Sequence, residues 1–480
     1  CSCRKSMPPW WTSFLSPFLT FVCYFAIVTP FVGCHGLTSQ PTLPTTSPLN
    51  ADISKAPHQW GFYVHIPYCR RRCRYCNFSI VPVGLATNQQ ASFASIHQKY
   101  QTDILQELDL VQPPTDSNNQ CSLSSIYFGG GTPSLAPVEM IQEILRRIMD
   151  KFSVDGNAEI TMEMDPGTFS GDYLQSLKKS GINRISLGVQ SFDDAILEIM
   201  GRVHRQADVL DAIHRIRQVY GDDANLSLDL ISGVPGLTPA KWIQTLEMAS
   251  SLKPSHLSIY DLQVEDGTVF GTWFNNKPTT PIHHAKPTLP DEESVAFMYK
   301  FTAGYLKNKG FEHYEVSSYA YRPAAKDEHN TRSRHNQIYW APSSSWYAIG
   351  LGATSFVHGT LQTRPKTLAD YHDWVIQQTH HDHKNIFPLH EDVSSDQDIM
   401  TDIIMKRLRT SDGLNLDWLQ QRFGSKARST VLKGATLGLE LQMAELVSKD
   451  NATILRLTDP NGFLYSNFII SSIFAELGYE

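Results

Sequence analysis

His65-Ile-Pro-Tyr-Cys69-Arg-Arg-Arg-Cys73-Arg-Tyr-Cys76 sets three cysteines at C-x3-C-x2-C spacing directly behind a strand-like run, 61–66 (GFYVHI). The loop at the C-terminal end of a strand is where βα architectures build their sites. Strand-like runs recur at 124–128 (SSIYF), 158–164 (AEITMEM), 184–189 (RISLGV), 225–231 (NLSLDLI) and 256–261 (HLSIYD). They are rich in β-branched and aromatic residues and are bounded by Gly, Pro or polar clusters. Helical patterns fall between them at 89–110, 136–152, 171–180, 205–219 and 239–251; Asp172 stands near one start, and Gly181 just after that helix. Six strands alternating with helices predict an α/β fold of parallel βα units. Periodicity leaves two closures open, a partial barrel or an open doubly wound sheet.

The triplet carries chemistry. A [4Fe–4S] cluster is normally held by four thiolates. Cys69, Cys73 and Cys76 supply three, which leaves one iron for a chelate bearing an amino and a carboxylate group, as the methionyl end of S-adenosylmethionine (SAM) does. One electron passed into the sulfonium then breaks a C–S bond and yields a 5′-deoxyadenosyl radical; the cofactor carries that chemistry and the protein supplies placement. Arg70, Arg71, Arg72 and Arg74 put positive charge beside a net-negative cluster, which raises its potential. The competing reading is structural zinc, which wants four ligands in paired spacing. Only His65 and Cys121 stand near enough to be the fourth.

The chain has 480 residues, 41% hydrophobic and 19% charged, enough for two or three domains and a large core. Its net charge is −7 with no long basic run, so a surface tracking nucleic-acid phosphates is not expected. Of eight cysteines, four lie in the first 34 residues and three in the triplet, unlike a disulfide framework spread through a secreted fold. From Ser6 to Ala51 there is no Asp, Glu, Lys or Arg. The stretch 14–33 (FLSPFLTFVCYFAIVTPFVG) is about long enough to cross a bilayer, although Pro17 and Pro30 oppose a regular helix. Residues 1–55 are read as a targeting extension outside the fold, with Met7 as a candidate start, which implies an organelle, plastid or mitochondrion. The alternatives are a retained membrane anchor and a cytoplasmic protein.

Further along, 275–290 is a Pro-rich loop in which His283–His284 read as solvated residues, having no acidic or thiol partner at ligand spacing. A helix starts at Asp291 and stops at Gly310. Residues 322–335 read as a surface loop, 361–395 as a polar connector, and 395–480 as a small α-rich module with a hairpin-like stretch at 452–459. The expected division is a barrel at 56–290, a barrel-completing and linking region at 291–385, and a C-terminal domain at 386–480.

Five segments share a resemblance. Tyr63-Val-His-Ile-Pro-Tyr-Cys69 continuing to Cys76-Asn-Phe, Tyr127-Phe-Gly-Gly-Gly-Thr-Pro133, Glu163-Met-Asp-Pro-Gly167, Arg184-Ile-Ser-Leu-Gly-Val-Gln190 and Leu228-Asp-Leu-Ile-Ser-Gly-Val-Pro-Gly236 are similar, in order, to the radical SAM core of the oxygen-independent coproporphyrinogen III oxidase family. The resemblance runs from about residue 60 to the C-terminus. It implies a partial (β/α)6 radical SAM barrel followed by a small, mostly α-helical C-terminal domain. It also implies a cluster on Cys69, Cys73 and Cys76, and SAM contacts from Tyr63, Tyr75, Gly130, Gly131, Thr132, Glu163, Gln190, Arg202 and Asp229. The chemistry of these residues agrees: glycines after a strand let backbone approach a ligand, carboxylates at strand ends suit ribose hydroxyls or an ammonium, and a guanidinium suits a carboxylate.

Oxidases of the family carry a fourth cysteine two residues after the third; here that position is Phe78. The chain therefore resembles the HemW-type branch, whose members act as haem-binding chaperones delivering haem to client proteins. His335-Asn-Gln-Ile-Tyr-Trp340 matches the H-N-x-x-Y-W motif of that branch and implies His335 as a haem ligand, with Tyr339, Trp340 and Trp346 offering area to a flat macrocycle. A plain structural histidine, orienting a turn or supporting the barrel mouth, is the other reading. The expected cofactors are the [4Fe–4S] cluster, SAM and haem. The expected partners are haem-requiring clients and an electron donor, with no membrane span in the folded region. The alternative function is oxidative decarboxylation of two propionates of coproporphyrinogen III, and a third is a degenerate barrel with structural iron.

Overall fold

The computed structural model describes residues 59–84, 90–113, 122–275, 287–322, 331–357, 359–380 and 395–479. The N-terminal extension, Cys121 and His283–His284 lie outside the described residues. The six strands read from the sequence are present: β1 (Gln59–Ile66), then, after two short pieces β2 (Tyr68–Cys69) and β3 (Val81–Pro82), β4 (Ser122–Gly130), β5 (Ser153–Met164), β6 (Arg184–Gln190), β7 (Leu226–Ser232) and β8 (His256–Asp261). Helices Gln90–Leu110, Val138–Lys151, Gly171–Lys179, Gln206–Tyr220 and Pro239–Ser251 lie between the long strands. After helix Glu292–Asn308 come β9 (Phe311–Glu315), β10 (Ser318–Tyr321), β11 (Ser344–Ile349), β12 (Thr354–Val357) and β13 (Thr360–Thr363).

One 11-stranded sheet runs β13-β12-β11-β1-β4-β5-β6-β7-β8-β10-β9. Strands β1 and β4 to β8 pair in parallel and in chain order. Strand β11 adds to the outer side of β1, also parallel, and antiparallel strands flank both sides. The sheet has two edges, β13 and β9, so it is an open, partial barrel.

Each parallel strand is two-faced. Phe62 and Val64, Ile126 and Phe128, Ile160 and Met162, Ile185 and Leu187, Leu228 and Leu230, and Leu257 and Ile259 are buried in one core with helix residues such as Leu108, Ile141, Leu174, Ile213 and Trp242. Each such side chain contributes on the order of 1.5–3 kcal/mol by leaving water. The alternate residues are polar: Ser125 and Tyr127, Glu159, Thr161 and Glu163, Arg184 and Ser186, Ser227 and Asp229. A parallel strand covered on both faces by apolar layers reads as a continuous hydrophobic run. Here the period of two persists because the second face lines a polar chamber.

Two sequence expectations need correction. Residues 331–335 are not a surface loop: Ser333 and His335 are buried, and Arg334–Trp340 is a helix whose N-cap Ser333 accepts from Asn336 N. It packs against β1, β4 and β11. The polar residues that suggested solvent are satisfied inside; Arg332 pairs with Glu312 and Asp412. The polar connector at 361–395 also contains structure, the end of β13 and helix Leu368–His380. Arg364 there forms a fully buried ion pair with Glu107 at 2.7 Å, and Tyr371 OH donates to the same carboxylate at 2.5 Å.

The C-terminal module has a three-stranded antiparallel sheet of β14 (Leu414–Asn415), β15 (Ala444–Lys449) and β16 (Ala452–Leu457), with helices including Asp396–Leu408, Ser425–Glu440 and Ser466–Glu476. The hairpin-like stretch at 452–459 is the second arm of a β15–β16 hairpin, turned by Asp450 and Asn451 in the left-handed region. Tyr299 and Val316 join its core, so the module is seated on helix Glu292–Asn308 and the β9–β10 turn. Among the described residues no helix is long and apolar enough to cross a membrane.

Candidate cluster and SAM site

The cysteine loop leaves β1 at Ile66 and folds back on itself. Val81 N donates to Pro67 O at 2.7 Å and Val83 N to Cys69 O at 2.8 Å, the β2–β3 pairing. The neighbouring arginines tie this loop down. Arg70 donates to Gly167 O at 2.8 Å, Arg71 to Gly201 O and Arg202 O at 2.7 Å, Arg72 to Phe78 O at 2.9 Å and Arg74 to Ile199 O at 3.0 Å. Their donors are engaged by main-chain carbonyls, and the cation that reaches a sulfur is Arg202, whose Nη1 lies 3.4 Å from Cys73 Sγ.

Cys69, Cys73 and Cys76 are free thiols on the wall of a single cavity of about 380 Å3. Burial pushes the Cys69 thiol up to about 12, with the Thr132 hydroxyl 3.6 Å away opposing the shift. Burial pushes Cys76 up to about 11. Such thiols stay protonated at neutral pH unless a cation takes the proton's place, which is the behaviour of metal ligands awaiting metal. Among the described residues no three His, Cys, Asp or Glu groups are placed to hold one metal ion. Three thiols on one cavity wall, with the Thr132 hydroxyl and the Arg202 guanidinium beside them, suit a [4Fe–4S] cluster that leaves one iron open to a further ligand. His65, the proposed fourth zinc ligand, is spent on Ser79 O at 2.8 Å and Tyr63 OH at 3.2 Å.

Of the residues expected at SAM, Tyr75, Gly130, Gly131, Thr132, Glu163, Gln190, Arg202 and Asp229 line the same cavity as the thiols. Tyr63 stands one layer behind, its ring 6.1 Å from that of Tyr127. The glycine run has a different first purpose from the one its position suggests. A Cβ on Gly130 would lie 2.5 Å from the His65 ring, and on Gly131 2.6 Å from the carbonyl oxygens of Pro67 and Tyr68. The glycines let the cysteine loop close over β4.

Glu163, at the end of β5, accepts from Tyr127 OH at 2.8 Å and from Gly130 N at 3.0 Å. Burial nevertheless raises its carboxyl to about 7, helped by the charge of Asp229. Asp229 is also raised by burial and accepts from Ser186 Oγ at 2.9 Å. Two desolvated carboxylates on one wall suit an ammonium or ribose hydroxyls. Arg202 is paired with Asp165 at 2.5 Å and donates to Gly188 O at 3.1 Å, and its Nε has no hydrogen-bond partner among the described residues. Gln190 ends β6 at φ 66°, a conformation costing a non-glycine residue roughly 1–2 kcal/mol, which holds its side chain at the cavity wall.

Sequence reasoning missed Tyr127, Asp165 and Asp261. The first two sit inside the quoted motifs, and Asp261 ends β8, where a strand-end rule would find it. Burial raises the Asp261 carboxyl to about 6 beside Ser232. The C-terminal module closes the far end of the cavity with Arg409, Phe463 and Asn467, for which no local signal exists.

His335 does not line the cavity. It is 1% exposed, with Nδ1 2.8 Å from Ser125 Oγ and Nε2 2.8 Å from Tyr339 OH. Burial lowers its pKa to about 3. An iron ligated there must first take Nε2 from Tyr339.

Three cysteines in a loop over a partial barrel, with an acidic and glycine-lined cavity beside them, define a radical SAM protein, and residues 63–249 match the Radical SAM superfamily model. Residues 395–464 match the HemN C-terminal domain. The chain is 34% identical to the heme chaperone HemW of Synechocystis sp., over 86% of this chain and 96% of that one. It is 30% identical to the mitochondrial radical S-adenosyl methionine domain-containing protein 1 of Bos taurus, over 75% of each. It belongs to the HemW family. Among solved structures, the coproporphyrinogen III oxidase HemN of Escherichia coli superposes with a TM-score of 0.66 at 20% identity, covering 87% of this chain and 90% of that one, a likeness of fold.

Proposed function

We propose that this protein is a haem chaperone that carries a [4Fe–4S] cluster and binds SAM, and that it hands haem to haem-requiring clients. The observation that carries the choice against the oxidase is Phe78, 39% exposed on the cavity wall at the position where oxidases of the family have a further cysteine. The likeness to the Synechocystis relative over nearly its whole length supports the same reading. The cluster would be held by Cys69, Cys73 and Cys76, and when bound with SAM it supplies one-electron cleavage of the sulfonium. Thr132 and Arg202 steady the sulfurs, Glu163 and Asp229 receive the cationic or hydroxyl groups of SAM, and Gln190 and Tyr75 complete the wall. His335 would serve as the haem ligand, through the Nε2 that now meets Tyr339 OH. The named mitochondrial relative supports an organellar location, reached through the N-terminal extension.

Anaerobic reconstitution, with iron and sulfide counted and SAM and haem titrated on one sample, tests the reading. Protoporphyrinogen formed over many turnovers from coproporphyrinogen III, SAM and a reductant overturns it. Loss of the Soret change in His335→Ala is expected; an unchanged titration removes His335 as the ligand.

A further inference from the structure

The helix Arg334–Trp340 lies inside the polar chamber, below the SAM cavity. A Cβ on Gly61 of β1 would stand 2.9 Å from Ile338 Cδ1 and 3.5 Å from His335 Cε1, so the helix lies close against the sheet at this glycine. His335 is held on three sides: Ser125 on Nδ1, Tyr339 on Nε2, and Glu159, which accepts from its backbone N at 3.3 Å. Its ring is stacked on that of Tyr127, centroids 4.9 Å apart and planes 23° apart. The hydroxyl at the far end of Tyr127 donates to Glu163 Oε1 at 2.8 Å, and Glu163 faces the cavity. The packing between them is tight. A Cβ on Gly129 would meet Tyr127 at 2.8 Å, and Glu163 and Tyr63 at 3.0 Å. A buried ring, a second ring and a carboxylate thus form one contact chain from the floor helix to the SAM wall.

We propose that His335 is a positioning residue for the Glu163 carboxylate, acting through the stacked ring of Tyr127, and that the floor helix and the SAM cavity are thereby coupled. The stack fixes the plane of Tyr127, which fixes where its hydroxyl stands. That bond in turn aims the carboxylate. The consequence for haem rests on the proposed ligand role of His335. Were Nε2 to ligate haem iron, its bond to Tyr339 OH would be given up and the stack on Tyr127 disturbed, so haem and SAM would weaken each other by the same factor, as linkage requires.

The test is SAM affinity, by equilibrium dialysis of the cluster-loaded full chain. His335→Ala is expected to weaken SAM about fivefold, the worth of an aromatic stack. Tyr127→Phe, which keeps the ring and removes the donor to Glu163, is expected to weaken it about tenfold or more. The double variant is expected to be no weaker than Tyr127→Phe alone, because both losses run through one hydroxyl. His335→Phe, which keeps a flat ring, is expected to restore affinity to within about twofold and guards against misfolding of the alanine variant. Losses that multiply in the double variant, or unchanged affinity in His335→Ala, overturn the proposal. A haem titration of the same variants separates the two readings. Weakened SAM with unchanged haem binding removes His335 as a haem ligand and leaves its positioning role standing. Lost haem with unchanged SAM does the reverse.

Discussion

Arg202 spans Cys73 and Asp165: Nη1 lies 3.4 Å from the sulfur, and Nη2 is 2.5 Å from the carboxylate. One guanidinium thus joins the cluster loop to the motif after β5, and the Asp165 charge holds its orientation. An N–H donor and a positive charge at a cluster sulfur favour the reduced cluster. Arg202→Gln is expected to lower the cluster's reduction potential by about 60 mV, taking the lost charged hydrogen bond as roughly a tenfold effect. An EPR-monitored redox titration reads this directly. An unchanged potential at full iron content would show that the contact does not act on the cluster.

Glu163 makes a pH signature. In the unfolded chain its carboxyl titrates near the ordinary 4.5, and in the folded protein near 7. As pH rises between these values the unfolded state loses the proton first, so folding stability falls across that window and levels off above it. Glu163→Gln removes the slope, stabilising SAM-free, cluster-loaded protein at pH 7.5 by about 3 kcal/mol at most. The same variant is expected to bind SAM at least tenfold more weakly. Thermal melts from pH 5 to 8 check the first effect; identical slopes for variant and wild type would place the titration elsewhere.

Gly131 tests the packing of the cysteine loop. Its Cβ would meet two carbonyl oxygens of the loop at 2.6 Å, and Gly131 N donates to Ile66 O at 2.8 Å, so backbone must move. Gly131→Ala is expected to cost about 1–3 kcal/mol and to reduce iron uptake on reconstitution. Gly171→Ala is the control, since a Cβ there meets nothing within 4 Å. Full iron content in Gly131→Ala would show that the loop yields without disturbing Cys69.

The Arg364–Glu107 pair should dominate the stability of the barrel's β1 side. Both side chains are fully buried, and Glu107 also accepts from Gly350 N at 2.8 Å. Arg364→Met leaves a desolvated carboxylate and is expected to destabilise by about 3–5 kcal/mol, whereas changing both residues to apolar ones should recover much of it. Urea unfolding of the single and double variants measures this; a single variant near wild type would show that Tyr371 and Gly350 alone satisfy Glu107.

The strands were legible because burial on one face imposes a period of two, and Arg184-Ile-Ser-Leu-Gly-Val displays it plainly. Polar composition misled at Arg332, Ser333 and His335. Polar residues signal solvent only where no polar interior exists, and Glu312, Tyr314 and Glu159 provide one. The cysteines and the cavity residues Gly130, Thr132, Glu163 and Asp229 were legible because motif and strand end coincide. Tyr63 stands behind the wall ring of Tyr127, an arrangement that a motif does not encode. Arg409 and Asn467 were invisible because they reach the site from a module whose docking no local pattern encodes.

The pairing of β1 with β11 has a consequence for how the protein is made. Tyr63 faces Ala348 in that register, so the strand that presents the cysteines acquires one neighbour only after translation has passed Ser344. A ribosome emits the three thiols long before the sheet beside them can be completed. A product truncated before Ser344 would carry all three cysteines yet leave the outer edge of β1 unpaired, an exposed edge of the kind that invites aggregation.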